Sequence, residues 1–87
     1  MREQCLFAIL IAGSLASAAT AKERPVTDDE RAKLVAAVTG QNCSGGKLEF
    51  DIDDNQFEVD DVTCNDGRKY DLKFDPSFKL LKKELED

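Results

Sequence analysis

The sequence contains no histidine, and this absence removes several kinds of catalytic site from consideration. Serine and cysteine nucleophiles are usually activated by a neighbouring imidazole, so Ser–His and Cys–His arrangements are excluded. The usual zinc sites also fail, because so few cysteines cannot complete a four-ligand site without histidine. We therefore expect a protein that is not an enzyme and that has no metal site and no cofactor.

Long apolar runs are lacking as well. The apolar stretch from Leu6 to Ala12 is far shorter than the ~20 residues that a transmembrane helix needs. It follows Arg2 and precedes an A-x-A motif that ends at Ala21, which is the pattern of a cleaved signal peptide. We expect a signal peptide at residues 1–21, with Ala18 as a second cleavage point. Residues 22–87 then form a single domain in the periplasm or outside the cell, with no membrane span.

Cysteine is scarce, with three residues in the chain. Cys5 lies in the predicted signal peptide, so Cys43 and Cys64 remain in the mature domain. In an oxidising compartment these two can form one intrachain disulfide, and they lack the C-x-x-C spacing of redox-active pairs. We expect a structural bridge, which contributes roughly 3 kcal/mol in the chain-entropy account.

The charge balance is acidic, with a formal net charge of −6. A domain of this sign repels phosphate backbones and anionic lipids, so we expect no nucleic-acid partner.

A helix is predicted after Thr27. Thr27 and Glu30 form the T-x-x-E pattern of a capping box, and Gly40 suits the position just past the helix end. Leu34 and Val38 recur at helical spacing, with Val35 beside them, and give one apolar stripe.

The period then changes to two. Apolar residues alternate with polar ones at 48–52, at 57–59 and at 70–74, which predicts three strands. Asp54-Asn55 is expected to form a two-residue hairpin turn. The predicted fold is α+β, one N-terminal helix packed on a small antiparallel sheet of three or four strands with one disulfide. The predicted core is Leu34, Val35, Val38, Leu48, Phe50, Ile52, Phe57, Val59, Tyr70, Leu72, Phe74 and Leu81.

The register near Cys64 has two solutions. A two-residue turn at Asp66-Gly67 would place Cys64 on the outer face of the sheet. A three-residue loop with a bulge at Gly67 turns Val62 and Cys64 inward, and it requires a second bulge near Asp60-Asp61. The second solution is favoured because it buries Val62 and the disulfide instead of Asp61. The segment after Asp75-Pro76 fits a helix or a strand by periodicity alone.

Asp51, Asp53 and Asn55 occupy the first, third and fifth positions of an EF-hand-like loop. The sixth position is Gln56 where glycine is needed, and the twelfth is Val62 where glutamate is needed. The pattern therefore predicts weak surface binding of a cation at most.

Several short motifs resemble the PepSY domain, which occurs in the propeptides of thermolysin-like metallopeptidases and in YPEB proteins. Phe57-Glu58-Val59 matches its second strand, Asp66-Gly67-Arg68 its tight turn, and the segment from Tyr70 to Pro76 its third strand. The resemblance covers roughly Val26 to Leu85 and implies a final strand from about Lys79. Ser77-Phe78 departs from the Thr-Gly that the family usually has at this turn.

The resemblance implies a non-catalytic module that binds or restrains a peptidase or another envelope protein. The expected contact surface is the charged sheet face or an edge strand. An acidic carrier of a cation or small ligand is the alternative. The residues expected on the contact face are Lys47, Glu49, Asp51, Glu58, Asp60, Lys69, Asp71 and Lys73.

Overall fold

One helix lies on an antiparallel sheet of six strands in the computed structural model, which describes residues 22–86. The predicted signal peptide lies outside these residues. The elements are β1 (Glu23–Pro25), α1 (Asp28–Gly40), β2 (Cys43–Ser44), β3 (Lys47–Asp51), β4 (Gln56–Cys64), β5 (Lys69–Phe74) and β6 (Leu80–Leu85). The α+β class is confirmed, but the sheet has more strands than predicted and a strand precedes the helix. The strand order is β1-β3-β4-β5-β6, and β2 also pairs with β4.

Helix α1 begins as the sequence predicts. The Glu30 N–H donates to Thr27 Oγ1 at 3.1 Å, and the Thr27 N–H donates to Glu30 Oε1 at 2.9 Å, which completes the capping box. The helix ends later than predicted, because Gly40 is its last helical residue. Asn42 instead has the left-handed conformation that is common just past a helix end, with φ 62°. Asparagine tolerates this conformation better than most residues, so no glycine is required there.

Strand β1, which the sequence analysis did not predict, is tied to both the sheet and the helix. It pairs with β3, and the Arg24 guanidinium lies 4.4 Å from the centre of the Phe50 ring. Both Arg24 Nη atoms donate to the Glu30 carboxylate at 2.9 Å. This charged pair, with the N–H of Thr27, lowers the pKa of Glu30 to about 2. Strand β1 is therefore held by the same glutamate that caps α1.

The hairpin of β3 and β4 has the predicted inward face but a different turn. Phe50 lies opposite Phe57, and the loop between the strands has four residues, 52–55, so the two-residue turn is wrong. The carboxylate of Asp51, the last residue of β3, accepts from the N–H of Asp54 inside this loop at 3.1 Å. Ile52 consequently leaves the strand and is 53% exposed, so its place in the predicted core is also wrong.

Strand β4 changes phase in its middle. Its register against β5 shifts between Val59 and Val62, and Asp61 has φ 62°. After this bulge Val62 and Cys64 face the helix side with Val59, and all three are buried. The Cys64 N–H donates to the carbonyl of Arg68 at 3.0 Å, as in the three-residue loop with a bulge. The favoured register near Cys64 is confirmed.

Strands β2 and β3 run along the same edge of β4, separated by two glycines. Cys43 and Cys64 are direct partners across β2 and β4, and they form the predicted disulfide. Gly46 has φ 96° and lies against β4. A Cβ at this position would come within 2.8 Å of Val62 Cγ1 and 2.9 Å of the Asp60 carbonyl oxygen. The chain can step from β2 into β3 only because this residue has no side chain.

The core lies between α1 and the inner face of the sheet. Leu34 and Val38 of the helix are buried, whereas Val35, about 100° further round the helix than Leu34, is 50% exposed. Leu81 is 55% exposed. The register between β5 and β6 shifts at this point, so that Leu80 lies opposite Phe74 and packs against the core in place of Leu81. These two core assignments are wrong. The buried residues are Leu34, Val38, Cys43, Phe57, Val59, Val62, Cys64, Leu72 and Phe74, with Leu48, Phe50, Tyr70 and Phe78 packed against them.

The segment after Asp75-Pro76 turns back into strand β6, which agrees with the strand that the resemblance implied. Phe78 keeps the left-handed backbone usual for glycine at this turn, with φ 69°. Its ring stacks on Phe57 with 4.9 Å between centroids, and the Asp75 carboxylate accepts from the N–H groups of Ser77 and Lys79. Ring packing and the aspartate bonds thus hold a conformation that costs a non-glycine residue ~1–3 kcal/mol.

The glycines provide a graded test of the step between β2 and β3. We expect Gly46→Ala to lower the free energy of unfolding by about 3 kcal/mol, because it adds a steric clash to an unfavourable φ. Gly45→Ala, with φ 77° and no atom within 4 Å of the added Cβ, should cost only about 1 kcal/mol. Gly40→Ala in α1 should be neutral or stabilising. Urea unfolding measures all three, and equal losses at Gly45 and Gly46 would contradict the role of the β4 contact.

Phe78 provides a second test, in which glycine should be the better replacement. Both Phe78→Ala and Phe78→Gly remove the ring that stacks on Phe57, but only alanine keeps the conformational cost of the left-handed backbone. We expect the free energy of unfolding of Phe78→Gly to exceed that of Phe78→Ala by about 1 kcal/mol. Phe78→Gly should therefore unfold at a higher urea concentration. The reverse order would show that φ at this turn relaxes freely.

Candidate functional site: the outer face of the sheet

The face of the sheet opposite α1 carries the charged residues that the sequence singled out. Side chains alternate along a strand, so the neighbours of the buried residues in β3, β4 and β5 point away from the helix. All of the residues expected on the contact face lie on this side, which we call the outer face. They are Lys47, Glu49, Asp51, Glu58, Asp60, Lys69, Asp71 and Lys73. Their geometry agrees with the expectation, while their role in binding stays a prediction.

Carboxylates of like charge meet at the centre of the outer face. Glu49 of β3 lies directly opposite Glu58 of β4, and the carboxylate of Glu23 in β1 approaches both, with oxygens within 4.8 Å of one another. Partial burial, followed by the charge of Glu49, raises the pKa of Glu23. Lys73 lies 3.5 Å from Glu58 and Lys47 lies 3.6 Å from Glu49. Like charges directly opposite each other destabilise a sheet, and the three carboxylates of this group face two ammonium groups.

A second group of carboxylates surrounds the bulge of β4. The Asp61 N–H donates to the Asp71 carboxylate at 3.0 Å, and the carboxylates of Asp61, Asp71 and Glu86 lie within 4.8 Å of one another. Hydrogen bonding with Asp61, then burial and the charges of Asp61 and Asp71, raise the pKa of Glu86 to about 7. Burial, followed by the charge of Asp71, raises the pKa of Asp60. Two clusters of carboxylates therefore lie on the outer face, one at its centre and one around the bulge of β4.

Sequence reasoning missed three members of these groups. Glu23 belongs to a strand that is too short to show alternation. Glu86 follows β6, a segment for which periodicity alone fits a helix or a strand. Asp61 was placed at a bulge but not on the charged face, because a bulge changes the direction of side chains in a way that alternation does not describe. Asp51 and Asp53, the residues of the EF-hand-like pattern, lie in and beside the loop between β3 and β4, and neither belongs to these two groups.

The carboxylates of the outer face are open to solvent. Within the described part of the chain no polar or charged residue is buried, so these carboxylates keep contact with water. Acid–base catalysis usually relies on a carboxyl group that burial has shifted towards neutral pH in a pocket. An open, acidic sheet face is suited instead to bonds with cationic groups of a partner.

Comparison with known proteins shows the family of the chain. A family model described as the peptidase propeptide and YPEB domain, PepSY, matches residues 5–84. The chain belongs to this family. The match includes the turn at Asp66–Arg68 and the strand that leads into Asp75-Pro76, the segments on which the resemblance was based. No curated protein and no solved structure matches the chain. No helix among residues 22–86 is long and apolar enough to cross a membrane.

The raised pKa of Glu86 can be tested by titration. We expect the Glu86 carboxyl carbon to titrate near pH 7 by NMR at low salt, and Asp61→Asn to move its midpoint towards 4.5, the ordinary value. High salt should move it in the same direction, because it screens exposed charges. The folded chain holds a proton here that the unfolded chain releases. This contribution to stability is therefore present below pH 4.5 and lost as pH rises through about 7.

Asp53→Asn is the matched control for that titration, because Asp53 carries the same charge but belongs to neither carboxylate group. It should leave the Glu86 midpoint in place. A midpoint for Glu86 near 4.5 in the unaltered chain would contradict the proximity of the three carboxylates.

Proposed function

We propose that this PepSY domain is an exported, non-catalytic binding module that restrains a peptidase or another envelope protein. PepSY domains are generally propeptide or inhibitory modules without catalytic residues of their own, and the family match supports the same role here. The proposed contact is the outer face of the sheet, defined above by its eight charged residues.

The observation that carries this proposal is the opposition of Glu49 and Glu58. A sheet face with no other task would be more stable with opposite charges at this pair. Here Glu23 joins the two glutamates, so the centre of the face is acidic at a cost in stability. A surface that retains such repulsion is expected to meet positive charge on a partner, which removes the repulsion on binding.

Export is part of the proposal and is supported by two features. The N-terminal pattern is that of a cleaved signal peptide, and the Cys43–Cys64 bridge is typical of proteins that fold outside the cytosol. The proposed partner therefore belongs to the cell envelope or the secreted fraction. Peptidases of that compartment are the first class to test, because the family is named for their propeptides.

The test is capture of a partner with residues 22–87, oxidised and carrying an affinity tag, from envelope extract of the source organism. The informative variant is Glu49→Lys with Glu58→Lys, which reverses the centre of the outer face. The matched control is Asp28→Lys with Asp54→Lys, which changes net charge equally at exposed positions of α1 and the β3–β4 loop. Circular dichroism first confirms that both variants are folded.

We expect one protein to be enriched by both the wild-type domain and the control variant. Its recovery with the outer-face variant should fall by about tenfold or more, because several rim charges are changed together. If that protein is a peptidase, adding the wild-type domain should lower its activity and the outer-face variant should not. Equal recovery by wild type and outer-face variant would refute the proposed contact face.

A further inference from the structure

Strand β6 forms one edge of the sheet and pairs with β5 alone within residues 22–86. It exposes two large apolar side chains, since Leu81 is 55% exposed and Leu85 is 50% exposed. Natural edge strands usually avoid such exposure or block it, because a free row of N–H and C=O groups beside apolar side chains invites pairing. An edge with this composition needs an explanation in terms of what covers it.

The hydrogen bonds at the end of β6 show which of its backbone groups are free. The N–H of Glu86 donates to the carbonyl of Lys69 at 2.9 Å. In an antiparallel ladder, alternate residues bond to the same neighbour. Glu84 and Glu86 therefore direct their backbone groups towards β5, and Lys83 and Leu85 direct theirs outward.

The side chains of residues 81–85, Leu-Lys-Lys-Glu-Leu, are ordered so that the segment complements itself when reversed. We propose that two copies of the domain pair antiparallel through β6, with Lys83 opposite Lys83 of the second copy. Leu81 of each copy then meets Leu85 of the other. Lys82 of each copy meets Glu84 of the other on the outer face.

This register is the one that both the backbone and the charges allow. Pairing must bring outward-directed residues opposite each other, and the axes that also pair at least three of residues 81–85 with one another lie at Lys82, Lys83 or Glu84. An axis at Lys82 or at Glu84 places that residue against its own copy on the outer face, where the two like charges repel. The axis at Lys83 instead gives two Lys–Glu pairs. It also places Leu81 and Leu85 of each copy against Leu85 and Leu81 of the other.

The one like-charge pair in this register is formed by Lys83 of the two copies, and its two ammonium groups lie away from the axis. The Lys83 ammonium lies 4.6 Å from the centre of the Tyr70 ring, which places it over β5 rather than beyond the edge of β6. On the outer face Lys82 and Glu84 lie 3.2 Å apart within one copy. Addition of the second copy makes a square of alternating charges, in which each Glu84 contacts two ammonium groups.

A swap of charges tests the register and not merely the presence of a dimer. In sedimentation equilibrium of residues 22–87 we expect reversible dimerisation with a dissociation constant of micromolar to sub-millimolar order, since one strand pair makes a small interface. Lys82→Glu and Glu84→Lys should each weaken dimerisation about tenfold or more, because each makes all four charges of the square alike. The double variant Lys82→Glu with Glu84→Lys keeps the net charge and should restore it.

Two further variants separate pairing through β6 from other association. Lys83→Pro removes an outward N–H at the axis without removing a bond to β5, so it should abolish the dimer and leave the circular dichroism of the monomer unchanged. Glu49→Lys with Glu58→Lys, at the proposed contact face, should dimerise like the wild type. A wild-type domain that is monomeric at millimolar concentration, or a double variant no better than the singles, would overturn the proposal.

Discussion

The domain depends on the change of phase in the middle of β4. Without the bulge at Asp61, strict alternation would bury Asp61 and expose Val62 and Cys64. With it, buried side chains continue along the whole strand, from Phe57 to Cys64. Helix α1 packs over that row, the disulfide attaches β2 to its end, and Gly46 fits against its centre. Burial of a carboxylate without a partner would cost more than the unfavourable backbone of one aspartate, so the bulge is the cheaper solution.

The two faces of the sheet differ in chemistry, and the proposed contact lies on the face that does not form the core. On the helix side, apolar packing and the Arg24–Glu30 pair fix the position of α1 and β1. On the outer face, carboxylates approach one another closely enough to raise the pKa values of Glu23 and Glu86. Because these charges do not support the core, substitutions among them can change what the surface attracts and leave the fold intact.

Much of this arrangement follows from the sequence, and the failures have physical causes. The capping box, the inward faces of β4 and β5, and the bulge are determined by local chemistry and by the burial of Val62. Strands β1 and β2 escaped prediction because three and two residues are too few to show a period. Ile52 and Leu81 were assigned to the core by alternation, which a four-residue loop and a register shift each interrupt. Most of the outer face was predictable because side chains alternate along regular strands. The position of Asp61 was not, because alternation fails at a bulge.

Gly46 limits how this sequence can diverge in evolution. Its neighbours on β4 leave no space for a methyl group, so a change there cannot be accommodated by a rotamer adjustment alone. Residues of the outer face are not buried in the core, so they can vary more freely. Homologous chains that keep the β2–β3 step are expected to retain glycine at this place, and to lose it only together with the bulge beside it.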